Sequence, residues 1–437
     1  MTRLFFLLLL LAGSPFAGHS QSLKTLRYDV RILAGNTMSG RGYIDKGCEK
    51  AGRFIAKRLS EASVSPAATD STYYQKYSFP VNTFPMPFSL RINGKDLLPG
   101  IDYLVDARSG SLTLEETKVE RIPVAKVFAC TDSATRFANL RVAGKPVLWE
   151  GGDTLVRGSF LRNVDGNALP AGLYLAPVKG KMTWTVSTKV FQNGATVVYV
   201  QDSVLPKKVA KVAASLPAKF VPSSAQSNIA GMVRGTVAPD SFIVFTAHYD
   251  HLGEMGKGTL FPGASDNASG TATLLDLSRY FAQHPQRYSV LFLFFSGEEA
   301  GLLGSQHYVE NPLFPLDKIR FLINLDMVGE CQDGVTVVNA TKHPETFSQL
   351  EALNDRTKLL PSVQSRGEAA NSDHYPFSER GVPAFFLYGR GGKGHYHDVF
   401  DTAGDLTFTN TENLEKLLIR FVEESLGGIQ NKNARTQ

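Results

Sequence analysis

Cysteine is scarce in this chain of 437 residues, which contains only Cys48, Cys130 and Cys331. The three lie far apart, their number is odd, and none has the short spacing of a thiolate metal site. We therefore infer neither a disulfide framework nor a zinc site built from cysteine. At most one disulfide can form, and its partners are left open.

Long apolar runs and charge of one sign are also lacking. After a run at residues 4–12, no segment approaches the roughly 20 apolar residues of a membrane span. The net charge is +5, and Lys and Arg are scattered among Asp and Glu. This pattern disfavours nucleic acid as a partner, and the length predicts one large core with a smaller domain.

The N-terminus has the layout of a signal peptide. Arg3 precedes the apolar run, and small residues follow it up to about residue 20. An uncleaved anchor is the alternative, but the run is too short to span a bilayer. We therefore predict a signal peptide over residues 1–20 and a secreted or periplasmic protein that is free of the membrane after cleavage.

The rest of the chain predicts an α/β fold, with a mostly parallel central sheet flanked by helices and an inserted β-rich domain. Amphipathic spacing predicts a helix over 46–62, and the later part alternates apolar strands with helices. The predicted strands are 241–247, 289–295, 321–325 and 383–387, and the predicted helices are 268–283, 300–309, 344–354 and 411–424.

Short β-type runs at 123–129, 146–149, 173–176 and 196–200 mark the insertion. We assign residues 21–84 and 223–437 to the main domain and 85–222 to the insertion. Whether the insertion is a lid, a spacer or a surface for another protein is left open. Because it holds no candidate ligand, we expect deletion of residues 90–215 to leave metal binding largely intact.

Acidic and histidine side chains follow three of the predicted strands. His248 and Asp250 follow the first, Glu298 and Glu299 the second, and Asp326 the third. In open α/β sheets, ligands bind beyond the carboxyl ends of the strands, so these groups can converge on one pocket. Asp266 and His397, in loop-like segments, are two further candidates.

This set of side chains is typical of a metal site. Adjacent glutamates after a buried strand are costly unless a cation or a proton offsets their charge. Nitrogen and oxygen ligands without thiolate suit zinc, and two zinc ions that share a carboxylate form a clamp for water and substrate. Mn or Co would accept the same ligands.

Five segments carry a resemblance to a known family. They are residues 248–253 (HYDHLG), 263–270 (GASDNASG), 295–305 (FSGEEAGLLGS), 324–329 (NLDMVG) and 396–402 (YHDVFDT). In this order they resemble the two-zinc aminopeptidases related to glutamate carboxypeptidase, glutaminyl cyclase and the transferrin-receptor ectodomain. The resemblance covers about residues 22–85 and 225–425.

The resemblance implies a role for each candidate. His248 and Asp326 would hold one zinc, Glu299 and His397 the other, and Asp266 would bridge them. Glu298 would be the general base that accepts the proton of a metal-bound water and so leaves the attacking hydroxide, since zinc lowers the pKa of its water towards 7.

Several neighbouring residues receive weaker assignments. We expect the Asp250 carboxylate to orient the ring of His248, and Tyr396 either to polarise the substrate oxyanion or to pack. Residues 372–374, Ser-Asp-His, are interpreted as pocket wall or as support for a ligand, not as a serine triad. Arg366 is a candidate for a substrate carboxylate or a surface residue, and His251 and His395 are set aside because they lie beside better candidates.

The sequence therefore predicts a zinc-dependent aminopeptidase that hydrolyses N-terminal residues from peptides. The alternatives are a carboxypeptidase or dipeptidase on the same site, a glutaminyl cyclase with one zinc, and a non-catalytic binding protein on the same fold. The intact ligand set disfavours the last two. The preferred N-terminal residue, the metal's identity and the oligomeric state are not predicted.

Overall fold

The computed structural model describes residues 22–68, 70–123, 144–150 and 170–427. The predicted signal peptide, Cys130 and most of the run 123–129 lie outside these residues. Within them, Cys48 and Cys331 are buried free thiols. No helix in the described ranges combines the length and the apolar character needed to cross a membrane.

The centre of the molecule is a sheet of nine strands, counted over the described residues. Its four middle strands are parallel, and antiparallel pairs join them to the strands on either side. In order across the sheet, the strands are Ser65–Pro66, Lys219–Val233, Tyr288–Phe295, Ala238–His248, Ile319–Leu325, Ala384–Gly389, Val335–Val338 and Val363–Ser365, with Tyr74–Thr83 also paired to Lys219–Val233.

Helices cover both faces of this sheet. In the described residues they are α1 (Ser22–Leu33), α2 (Gly47–Glu61), α3 (Gly270–Gln283), α4 (Leu303–Glu310), α5 (Pro344–Thr357), α6 (His374–Glu379) and α7 (Thr411–Arg420). The predicted α/β class with a mostly parallel sheet flanked by helices is thus confirmed. Helix α4 begins three residues later than predicted, because the Glu298 carbonyl accepts hydrogen bonds from Gly301 and Leu302 in a preceding turn.

The central strands are buried on both faces. Phe245 points into the core beneath α3, where its ring lies 5.9 Å from that of Phe281. The next residue towards the N-terminus, Val244, points into the opposite core, which includes Phe377 of α6. Because side chains alternate along a strand, both faces must be apolar. This burial holds the strand against both cores and so sets the position of its last residue, His248. Truncation of Phe245 to Ala would lower the free energy of unfolding by about 3–5 kcal/mol.

Two smaller sheets occupy the segment predicted to be an insertion. One contains Tyr103–Val105, Ala195–Gln201, Gly172–Val178, Val147–Glu150 and Glu120–Pro123, and the other contains Lys95–Asp96, Ser89–Ile92, Lys211–Leu216 and Leu112–Lys118. Their apolar core also includes Leu252 and Phe261 from the segment after His248. Strand Lys219–Val233 runs across the predicted boundary at residue 222 into the central sheet, and the exact division into domains stays a prediction.

Candidate active site

The ends of three parallel strands place the first candidate side chains at one edge of the sheet. His248 is the last residue of its strand, and Asp326 directly follows the neighbouring strand Ile319–Leu325. The register pairs Thr246 with Asn324, so His248 and Asp326 stand at the same level two residues further on. The sheet therefore brings together residues that are 78 positions apart in the chain.

Asp266 lies between the two candidate histidines. Its Oδ1 is 3.3 Å from Nε2 of His248, and its Oδ2 is 3.1 Å from Nε2 of His397. His248 Nε2 is also 3.3 Å from Oδ1 of Asp326, and His397 Nε2 is 3.0 Å from Oε2 of Glu299. The five candidate ligands thus form one connected group, in which Asp266 is central and turns one oxygen towards each imidazole.

The outer nitrogens of both rings face carbonyl oxygens. His248 Nδ1 lies 3.3 Å from the main-chain oxygen of Asp250, and His397 Nδ1 lies 3.0 Å from that of Trp184. A neutral imidazole that donates from Nδ1 carries its lone pair on Nε2. In that tautomer both Nε2 atoms would face carboxylate oxygens with no proton between them, an arrangement that a cation between the atoms makes favourable.

The distances also fit a metal. Two ligand atoms about 2.0–2.1 Å from a tetrahedral zinc lie about 3.3 Å from each other, and the four distances from the two Nε2 atoms to the carboxylate oxygens of Asp266, Asp326 and Glu299 are 3.0–3.3 Å. The donor set is nitrogen and oxygen without sulfur, which suits zinc. The residues present therefore fit the predicted metal.

Glu298 and Glu299 differ in their surroundings although they are adjacent. Burial, with the negative charges of Glu299, Asp373 and Asp326, raises the pKa of Glu298 well above its usual range. Burial also opposes ionisation of Glu299, but the positive charge of a protonated His397, which stands in for the cation at the neutral ring, and hydrogen bonds from His251 and His397 lower its pKa to about 2. Glu298 is thus the carboxyl with the greater tendency to hold a proton.

The sequence around this site matches a known family. Residues 228–422 match the model of peptidase family M28, a segment that contains all five candidate ligands and Glu298. This segment is a peptidase family M28 domain. The predicted family relationship and the predicted enzyme class, a peptidase, are therefore confirmed.

Relatives of the M28 domain extend the similarity over most of the chain. The chain is 26% identical over 378 residues to Aminopeptidase YwaD of Bacillus subtilis, covering 85% of this chain and 80% of that protein. It is 27% identical over 227 residues to Leucine aminopeptidase 1 of Arthroderma otae, of which it spans 60%.

Two solved structures share the fold. A zinc aminopeptidase from Bacillus subtilis superposes with a TM-score of 0.65 at 19% identity, covering 91% of this chain and 93% of that one. A peptidase M28 precursor from Shewanella amazonensis superposes with a TM-score of 0.67 at 14% identity, covering 93% and 95%. The fold shared with these structures therefore extends beyond residues 228–422, the segment that matches the family model.

Asp250 mainly supports the turn that carries the two glutamates. Its carboxylate accepts hydrogen bonds from the main-chain N–H groups of Glu298 and Glu299, both at 3.3 Å, and from the Tyr43 hydroxyl at 2.6 Å. The carboxylate lies 3.7 Å from His248 Nδ1, farther than the main-chain oxygen of Asp250 itself. Orientation of His248 thus involves the backbone of Asp250 more closely than its side chain.

Tyr396 packs on a candidate ligand. Its ring is stacked on that of His397 with 3.9 Å between centroids, and 43% of the residue is exposed. Burial and the surrounding carboxylates, Asp266 first among them, raise the pKa of Tyr396, so its hydroxyl stays protonated at neutral pH. The packing role is therefore visible, and a part in oxyanion stabilisation stays a prediction.

Ser372 supports Asp326. Its hydroxyl donates to Asp326 Oδ2 at 2.8 Å, and Asn324 donates its amide to the Ser372 oxygen at 2.8 Å. The adjacent Asp373 accepts a hydrogen bond from Ser305 at 2.5 Å, and both ring nitrogens of His374 lack a side-chain partner. No contact among the three consecutive residues has the arrangement of a serine triad.

Arg41 was not found from the sequence, although it is fully buried beside the site. Its guanidinium donates to the carbonyls of Pro262, Gly263 and Asp266 at 2.7–3.2 Å, and to two carbonyls elsewhere. From the other side, the Asp401 carboxylate accepts from the N–H groups of Ser265 and Asp266. The loop that presents Asp266 is thus held on its carbonyl side and its N–H side.

His251 touches the site more closely than expected. Its Nδ1 lies 2.7 Å from Oε1 of Glu299, and together with Asp266 and Glu299 it could surround an ion. We favour His397 as the ligand, because one nitrogen, Nε2, lies within 3.1 Å of both Asp266 and Glu299, whereas the nitrogen of His251 that faces the site is paired with Glu299. Holding the Glu299 carboxylate in place is the simpler role for His251.

The remaining candidates lie at the surface or beside other partners. Arg366 is exposed, and its guanidinium contacts the hydroxyl of Tyr388 at 3.2 Å. His395 lies 3.7 Å from the Asp398 carboxylate and lines a cavity next to Ser265 and Asp401. Neither is among the side chains that converge on Asp266.

Proposed function

We propose that this protein is a secreted two-zinc aminopeptidase that removes N-terminal residues from peptides. The observation that carries the proposal is the position of Asp266, whose two carboxylate oxygens each face the Nε2 atom of a different histidine. A carboxylate with one oxygen on each side can bind two neighbouring metal ions at once, which suits a two-metal site.

In this proposal the ligands divide into two sets. His248 and Asp326 would hold one zinc, His397 and Glu299 would hold the other, and Asp266, which faces both histidines, would serve both. When bound, the zinc ions supply Lewis acidity, which polarises the scissile carbonyl and lowers the pKa of water towards 7. Arg41 and Asp401 keep the bridging residue in place.

Glu298 is the proposed general base. It lies beside His248 and Asp326 with ligand atoms within 4.8 Å of one another, close enough to reach a water at the metal site. Its carboxylate takes a proton from the attacking water and delivers it to the leaving amine, which needs a group that can hold the proton between the two steps.

Two observations favour an aminopeptidase over a carboxypeptidase or dipeptidase. The relative that covers most of the chain is named an aminopeptidase. A carboxypeptidase needs a cation for the terminal carboxylate of its substrate. Arg366, the candidate cation, is instead exposed and contacts Tyr388, and Lys393, in the adjacent cavity, is paired with Asp405. Neither of these two cations is therefore placed to bind a substrate carboxylate at the site.

The place of action in this proposal is the periplasm or the exterior of the cell. The support is the signal-peptide layout of residues 1–20, which combines a basic residue, a short apolar run and small residues. The fraction of the cell that contains the mature protein, and its N-terminal sequence, test this part separately.

The activity is tested with three versions of one peptide: free at both ends, acetylated at the N-terminus, and amidated at the C-terminus. We expect the free and the amidated peptides to lose their first residue and the acetylated peptide to stay intact. Cleavage of the acetylated peptide together with resistance of the amidated one would instead identify a carboxypeptidase. Cyclisation of an N-terminal glutamine without hydrolysis would identify a glutaminyl cyclase.

A further inference from the structure

A segment of the predicted insertion holds the main chain at His397. The Trp184 N–H donates to the His397 carbonyl at 2.9 Å, and His397 Nδ1 lies 3.0 Å from the Trp184 carbonyl. Three residues earlier, the Lys181 ammonium lies 2.7 Å from the Gly394 carbonyl and 2.9 Å from the Asp398 carboxylate. Four polar contacts therefore join residues 181–184 to residues 394–398.

His397 needs such support because of its backbone conformation. Its φ is +52°, in the left-handed region that residues with a side chain rarely adopt. A residue is kept in this conformation only when its surroundings favour it over relaxed alternatives. The reciprocal bonds with Trp184 fix both the main chain and the ring of His397.

Trp184 is itself anchored in the β-rich part of the chain. Its indole Nε1 donates to the carbonyl of Val105, a strand residue of the five-stranded sheet, at 2.8 Å. The residue is 5% exposed, and its ring lies 4.9 Å from that of Phe261 and 6.0 Å from that of Phe84. The sheet, Trp184 and His397 thus form a continuous chain of contacts.

These contacts decide which nitrogen of His397 can bind a metal. Donation from Nδ1 to the Trp184 carbonyl leaves the lone pair on Nε2, which faces Asp266 and Glu299. Hydrogen-bond partners of this kind orient metal-binding histidines, and their loss typically costs about 10- to 100-fold in metal affinity.

We infer that Trp184 is a positioning residue for the metal site of His397, so that the β-rich segment contributes to metal affinity as well as lying beside the site. The inference rests on the proposed function, since it takes His397 as a zinc ligand. It replaces the expectation that removing the insertion leaves metal binding intact. That expectation considered only ligand residues, whereas the structure shows a contact to the ligand.

The test is zinc binding, measured by competition with a chelator of known affinity, in Trp184→Ala, Trp184→Phe and the unchanged protein. Trp184→Ala keeps the main-chain bonds to His397 but removes the indole that holds this main chain in place. We therefore expect it to weaken one of two zinc ions measurably, by up to the roughly 10- to 100-fold that loss of such a partner costs, and to leave the other unchanged. Trp184→Phe keeps an aromatic ring but loses the bond to Val105, so its effect should be smaller. The control for Trp184→Phe is Trp149→Phe, a change of the other tryptophan, which lies in strand Val147–Glu150 of the sheet that Trp184 is bonded to, and it should bind zinc normally.

A double-mutant cycle separates positioning from general damage. With His397→Ala already present, Trp184→Ala should cause no further loss of zinc affinity, because both changes act on the same site. Visible absorption of the cobalt-loaded protein should change in Trp184→Ala at that site alone, and saturating zinc should restore much of the turnover.

The outcomes distinguish the inference from the proposed function. Normal affinity for both zinc ions in folded Trp184→Ala would refute the inference and leave the proposed function standing. Equal weakening of both ions, or the same loss in Trp149→Phe, would also refute it, because the effect would then be one on overall stability. Binding of fewer than two zinc ions by the unchanged, fully active protein would refute the proposed two-zinc function itself.

Discussion

Substitution of Glu298 by Gln removes the proposed base and little else. Glutamine keeps the shape of the side chain but cannot accept a proton. Because Glu298 is not among the five proposed ligands, zinc content should stay near two per chain. Turnover should fall by roughly 10² to 10⁴, the range expected for loss of a general base, equivalent to about 3–5 kcal/mol in the barrier.

The matched variant is Glu299→Gln, one residue away. Glu299 contacts Nε2 of His397 at 3.0 Å and Nδ1 of His251 at 2.7 Å, so it lies within the proposed ligand set. The change replaces an anionic ligand by a neutral amide. We expect the zinc shared with His397 to weaken first, and activity to fall as a consequence.

The test measures zinc stoichiometry and turnover for both proteins across a series of free zinc concentrations. It distinguishes the base role of Glu298 from the ligand role of Glu299. Added zinc should partly rescue Glu299→Gln and should not rescue Glu298→Gln. The opposite pattern would exchange the two roles. Unchanged turnover in Glu298→Gln would remove the proposed base from the mechanism.

Three further outcomes are expected. Chelation should abolish activity and zinc should restore it, as followed by hydrolysis of an aminoacyl-anilide, and activity that survives in metal-free protein would contradict a metal mechanism. Arg41→Met should lower the free energy of unfolding, measured by denaturant titration, by about 3 kcal/mol or more, because buried carbonyls lose their donor. The control is Arg53→Met, at an exposed ion pair, which should change the free energy of unfolding by less than about 1 kcal/mol. Deletion of residues 90–215, which removes Trp184, should reduce zinc content from two towards one, and two tightly bound zinc ions in the folded deletion variant would contradict the role of Trp184.

The sequence predicted the parts of the site that follow from strand ends. His248, Glu298 and Asp326 come after apolar runs, and the rule that ligands bind beyond the carboxyl ends of parallel strands was enough to group them. Asp266 and His397 lie in loops, where periodicity gives no position. Their grouping depended on the resemblance to known zinc peptidases.

Other features could not be predicted because they depend on distant contacts. Arg41 reaches the carbonyl of Gly263 across 222 positions, and Trp184 meets His397 across 213. Both contacts are made to main-chain carbonyls. Because every residue has a main-chain carbonyl, the sequence does not reveal such contacts. Strand Lys219–Val233 was not predicted, because its first half is mostly exposed and its buried run begins only near Ile229.

The bonds of Arg41 bear on where the polypeptide can be divided. The family model matches the chain from residue 228 onward, whereas the guanidinium that binds the loop before Asp266 comes from the turn after α1. A fragment beginning at residue 228 would contain all five proposed ligands but would leave three carbonyls of that loop without their charged donor. The stretch that the family model matches is therefore shorter than the set of residues that holds the Asp266 loop in place, and a truncation that removed Arg41 would act on that loop without changing any residue of the matched stretch.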